Sequence, residues 1–105
     1  PADLPDAGAA QPLRPVDSPG NWVSDDDYPR MALRQGQQGT LAFRLDIGVT
    51  GVPTACVITQ SSGHAILDTT ACRLLTARAR FHPARDAGGR AIPASFSSRF
   101  TWRIP

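Results

Sequence analysis

A change of period, from two to about 3.6 and back to two, constrains this chain more than any other feature. Leu41, Phe43, Leu45 and Ile47 alternate with Thr40, Ala42, Arg44 and Asp46, the pattern of a strand with one buried face. Residues 48–53, with Gly51 among them, read as a turn, and residues 55–59 as a second strand, so the pair is a hairpin. Leu67, Ala71, Leu74, Leu75 and Arg78 then follow helical spacing. Asp68 suits the amino end of that helix, and Arg78 and Arg80 its carboxyl end. Pro83 and Gly88-Gly89 close the segment. A third strand over 92–104 alternates again. Ile92, Ala94, Phe96, Phe100, Trp102 and Ile104 point inward; Pro93, Ser95, Ser97, Arg99, Thr101 and Arg103 point out. Pro93 cannot donate to a ladder, which suits an edge strand.

A short helix over about 28–35 precedes the strands, with the acids Asp25, Asp26 and Asp27 ahead of Pro29 and a stop at Gly36. The chain order is therefore helix, strand, strand, helix, strand. If the third strand lies beside the first, the result is a three-stranded antiparallel sheet in spatial order 2-1-3. Two helices on its apolar face complete a two-layer α+β sandwich. Residues 1–20 hold five prolines among Ala, Gly and Asp, too little to build a core. The expected organisation is a linker over 1–21 and a domain over 22–105.

Charge is split along the chain. Residues 1–27 carry six Asp against Arg14 alone, and residues 28–105 carry ten Arg against Asp46, Asp68 and Asp86. Lys and Glu are absent. No apolar run approaches the roughly 20 residues of a membrane-spanning helix. The start at Pro1 suggests a mature or excised piece, with any targeting segment outside it.

The residues for chemistry are sparse. His64 and His82 read as loop residues, and Ser61, Ser62, Ser95, Ser97 and Ser98 have no evident His–acid set, so nucleophilic catalysis is disfavoured. The Asp triplet lacks calcium-loop spacing, and no metal or cofactor site is expected. Gly36-Gln37-Gln38-Gly39 has the Gly-x-x-Gly form of a nucleic-acid clamp, but a strand follows it where a helix should. The strand aromatics face the core, so no nucleic-acid partner is expected. Cys56 and Cys72 sit on the second strand and the second helix. They fit either two buried free thiols or a disulfide, which a small domain with a thin core favours. There remains a long terminal edge strand. An extended peptide can add to it, or Arg99, Arg103 and Pro93 merely blunt it.

Taken together, the ordered residues resemble the carboxyl-terminal domain of TonB-type energy transducers. The likeness runs from Tyr28-Pro29, Ala32 and Gly36-x-x-Gly39 through an alternating strand to Gly51. It continues with Ser61-Ser62-Gly63, Leu67-Asp68, the run from Arg78 to Ala84 that includes Phe81 and Pro83, Gly89 and a final alternating strand. The resemblance implies a non-catalytic periplasmic adaptor. Such a protein is anchored in the inner membrane by an amino-terminal helix outside this stretch, where it meets a proton-channel complex. Its terminal domain grips the amino-terminal box of outer-membrane transporters by strand pairing and passes on proton-motive energy for siderophore- or cobalamin-type uptake. On this chain the contact falls to Ala94, Ser95, Phe96, Ser97, Ser98, Arg99, Phe100 and Arg103, with backbone groups near Ala94, Phe96 and Ser98 foremost. Tyr28, Pro29, Gly36, Gly39, Ser61, Ser62, Gly63, Leu67, Asp68, Phe81 and Pro83 are implied to be structural. A periplasmic address supports the Cys56–Cys72 bridge. Self-pairing through a free edge would give a homodimer. The alternative is a TolA-like envelope-integrity module that binds peptidoglycan or a protein.

Overall fold

Residues 9–105 are described by a computed structural model of the chain. Its elements are β1 (Ala9–Gln11), β2 (Arg14–Pro15), α1 (Arg30–Arg34), β3 (Gly39–Ile47), β4 (Pro53–Gln60), α2 (Ala65–Arg78), β5 (Phe81–His82), β6 (Ala84–Asp86), β7 (Ala91–Ile92) and β8 (Ala94–Trp102). Two 3-10 turns, Pro19–Asn21 and Asp25–Asp27, precede α1. The main sheet has the order β4-β3-β8 with both pairings antiparallel, the expected order 2-1-3 with the last strand beside the first.

The alternation of β3 translates directly into burial. Leu41, Phe43, Leu45 and Ile47 are buried, whereas Ala42, Arg44 and Asp46 are half-exposed on the other face. Helix α2 lays Leu67, Ala71, Leu74 and Leu75 on the apolar side, and the buried Ala32 of α1 joins the same core. Aromatic edges lock one end, where Tyr28 meets Trp102 with ring centroids 5.0 Å apart. Trp102 Nε1 donates to the Leu67 carbonyl at 3.1 Å, so its buried polar atom is satisfied. Burial raises the Tyr28 hydroxyl pKa, and that hydroxyl donates to the Gln37 carbonyl.

Four expectations are altered. The Asp triplet forms its own 3-10 turn instead of opening α1, because Tyr28 precedes a proline and adopts extended backbone. Its Asp27 carboxylate accepts from the Ser24 amide at 2.8 Å and takes both Arg78 nitrogens, at 2.7 and 2.9 Å. That Arg78 hydrogen bond, above all, holds Asp27 down to a pKa of about 2. Arg78 therefore ties the amino-terminal segment to α2, and it is Arg80 that donates to the helix-end carbonyl of Ala79, at 2.7 Å.

Secondly, the Pro-rich stretch is paired with the domain from Ala9 onward. β1 pairs with β6, β2 with β5, and the Val16 amide donates to the Arg80 carbonyl at 2.8 Å. The portion of the expected linker before Ala9 lies outside the described residues. An extended, proline-bearing segment is suited to short edge pairings that need few of its amides. Thirdly, the stretch after α2 is a small β region, β5 to β7, and Pro93 breaks the third strand into β7 and β8. Gly51 makes the first of these contacts possible: a Cβ there would lie 2.0 Å from the Phe81 carbonyl oxygen, and its φ is +83°. Lastly, Ile104 is 37% exposed. The strand has ended at Trp102, and the Ile104 amide donates to the Gln38 side chain.

Candidate functional site: the open edge of β8

Nine consecutive residue pairs join β8 to β3 in unbroken register, from Gly39 opposite Trp102 to Ile47 opposite Ala94. On its far side β8 has no neighbour in the sheet among the described residues. Among the described residues, no backbone group of 94–102 bonds to anything outside that ladder. In an antiparallel pair alternate residues aim N–H and C=O away from the partner. Half of the β8 main-chain groups therefore point outward along an edge of nine residues.

The side chains of β8 divide cleanly. Ala94, Phe96, Ser98 and Phe100 are half-buried on the helix side, and Ser95, Ser97 and Arg99 are exposed on the other. Arg103 lies exposed just past the strand. The open face also carries Thr40 and Thr101, whose hydroxyls meet at 2.8 Å, and an Arg44–Asp46 ion pair at 3.1 Å. On the helix side, Phe96 packs against Phe81 and Trp22, with centroids 5.1 and 5.9 Å apart.

Two supports hold the sheet in place. Ser61 Oγ donates to Asp68, whose other carboxylate oxygen accepts from the Ser62 amide at 3.0 Å and its hydroxyl at 2.8 Å. Burial opposes ionisation of Asp68, but these hydrogen bonds outweigh it and its pKa is lowered. The carboxylate expected at the helix start thus clasps the turn before it, with Gly63 at φ +97°. Gly39 opens β3 against that turn, because a Cβ there would sit 2.5 Å from the Ser62 carbonyl oxygen. The second support is the Cys56–Cys72 disulfide, with Cα atoms 5.7 Å apart, which fastens β4 to α2.

Of the residues expected to be structural, Tyr28, Leu67 and Phe81 lie in the core. Pro29 precedes α1, Gly36 follows it at φ +67°, and Pro83 separates β5 from β6. No group of three or more His, Cys, Asp or Glu suited to a metal occurs among the described residues. Two features escaped the sequence reading. Ser98 belongs to the helix-facing stripe, and the amino-terminal segment Pro19, Gly20, Trp22 and Val23 packs over it. The even numbering of Ser98 was the available signal for the first; nothing local marked the second.

Comparison with known proteins agrees with this architecture. Protein tonB2 of Pseudomonas aeruginosa is 34% identical over 59 residues, which make up 56% of this chain and 22% of that protein. The chain thus matches well under half of that relative's length. The family described as Gram-negative bacterial TonB protein C-terminal matches residues 25–104, from the Asp triplet past the end of β8. By that match the chain belongs to the TonB protein C-terminal family.

Proposed function

We propose that this domain is a non-catalytic periplasmic adaptor that captures the amino-terminal box of TonB-dependent outer-membrane transporters as an added strand on β8. Through that grip it passes on proton-motive energy for the uptake of scarce nutrients of the siderophore or cobalamin type. An inner-membrane proton-channel complex, reached through an amino-terminal anchor, would supply the energy. The observation that carries the reading is the open, unbroken edge of β8, a ready template for main-chain pairing. Family membership supports the same role. A disulfide accords with an oxidising compartment.

The fold also suggests which atoms pair. A β4–α2–β8 connection between parallel strands takes the right-handed form almost without exception. With that hand, the helix-facing residues Phe96, Ser98 and Phe100 turn N–H and C=O outward, and Ser97 and Arg99 bond to β3. This agrees with the contact expected near Ala94, Phe96 and Ser98. Arg99 and Arg103 read charge on the transporter. A homodimer through the same edge would compete with the transporter segment.

The test is a titration of the labelled domain with amino-terminal decapeptides from a panel of outer-membrane transporters, followed by amide NMR. Shifts should concentrate on 94–102, and the amides of Phe96, Ser98 and Phe100 should become protected from exchange. No shifts along β8 with any peptide would refute strand addition. A TolA-like or peptidoglycan-binding role through the Arg face predicts instead a steep loss of binding with salt.

A further inference from the structure

A serine interrupts the aromatic stripe of β8. Phe96 and Phe100 flank Ser98 on the helix-facing side, and Ser98 lies opposite Phe43 of β3. The small side chain leaves a gap, and a cavity of about 110 Å³ occupies it, lined by Pro19, Gly20, Trp22, Phe43, Ser98 and Phe100 and also by the charged Arg99. The wall is mostly apolar. Trp22 is 3% exposed, and its Nε1 is buried without an acceptor. The Ser98 hydroxyl makes no hydrogen bond among the described residues. Native interiors rarely leave a buried N–H unpaired, and the cleft opens at the β8 edge between exposed Pro19 and Gly20 and half-buried Ser98 and Phe100. Both features are expected of a site completed by another molecule.

Strand geometry says what reaches it. Residues facing each other on adjacent strands project their side chains to the same side of the sheet. On the strand-addition reading, on which this inference rests, the partner residue opposite Ser98 emerges on the helix side, next to the cavity. Its neighbours opposite Ser97 and Arg99 emerge on the open face. We propose that the space between the Pro19–Asn21 turn and β8 is a side-chain subsite that takes one aliphatic residue of the added strand, at the position facing Ser98. The amino-terminal segment then does more than tether the domain: it supplies the roof of the subsite and makes one partner position selective. An aliphatic side chain fills the apolar volume, and alanine leaves it empty.

The experiment combines peptide and protein variants. The tightest decapeptide of the transporter panel is first scanned with alanine, by calorimetry. One aliphatic residue, placed opposite Ser98 by its NMR contacts, should stand out with about a tenfold loss of affinity. Gly20→Leu adds bulk at a residue that lines the cavity, where a Cβ meets nothing nearer than Ser18 Oγ at 4.0 Å. It should weaken the parent peptide about tenfold and leave the alanine-substituted peptide unchanged, the non-additivity of groups in contact. Ser98→Val, which fills the gap from the floor, should repeat that pattern and serves if Gly20→Leu disturbs the fold. The Trp22 indole N–H signal should move with the parent peptide and not with the alanine form. Equal weakening of both peptides, or of neither, overturns the subsite while shifts along β8 persist. If those shifts are missing for every peptide, it is strand addition itself that fails, and the subsite with it.

Discussion

The main sheet has two edges, and they are built differently. β4 carries two register irregularities against β3, begins at Pro53, and is fastened to α2 by the disulfide. β8 keeps nine pairs in unbroken register and carries no such interruption within its length. Bulges twist an edge and spoil its spacing for a newcomer. Among the described residues both edges have unpaired main-chain groups, but only β8 presents them in unbroken register. On the proposed reading, regularity rather than exposure suits an edge to receive a strand.

The largest expected effect contrasts the two edges directly. Ser98→Pro removes an outward amide of β8 and should weaken transporter-peptide binding by about a hundredfold, roughly 3 kcal/mol. Val57→Pro, at the corresponding outward position of β4, should leave binding unchanged. Calorimetry on both variants, with circular dichroism to confirm folding, decides it; equal losses would erase the distinction between the edges. Next comes the staple. Replacing Cys56 and Cys72 together by Ala opens a loop with sequence separation 16 and should cost about 3 kcal/mol in the chain-entropy account. Denaturant unfolding should show that loss while peptide affinity at β8 stays within about twofold. A large fall in affinity would mean that β4 shapes the β8 edge after all.

A smaller effect concerns the amino-terminal segment that roofs β8. Asp27 titrates at about 2 in the folded protein, against an ordinary 3.8. Its folded pKa is depressed, so the stabilisation it brings is complete above about 3.8 and disappears as pH falls toward about 2. Asp27→Asn should flatten the stability profile across that interval, measured by urea unfolding. An unchanged profile would show that the Asp27–Arg78 pair is not the acid-sensitive link. The smallest effect lies on the open face: Thr101→Val breaks the hydroxyl contact with Thr40 and should cost under about 1 kcal/mol. It should not change peptide affinity if the added strand is held by main-chain groups.

How much was legible beforehand depended on element length. The buried face of β3 and the stripe of α2 follow from periodicity, Pro93 signals an edge strand, and the sheet order follows once the last strand is placed beside the first. β3 and α2 each span enough residues for an apolar pattern to repeat. The Cys56–Cys72 bridge was favoured but not fixed, because spacing alone cannot bring a strand and a helix to 5.7 Å between Cα atoms. The sequence marks Ser98 for its main chain but assigns its side chain to neither face, because a polar residue within an aromatic stripe looks like a break in the pattern. In the folded chain it is the gap itself.

What the sequence determined alone was therefore the frame: two periods, the points where they change, and the charges and prolines that bound them. The tertiary structure decided where the Pro-rich start would lie. β1, β2, β5 and β7 have two or three residues each, too few to show any period, and their pairings join residues far apart in the chain. Arg14 meets His82, and Ala9 meets Asp86. Such pairings are set by which main-chain groups remain unsatisfied once the sheet and α2 have packed, and no local pattern encodes that.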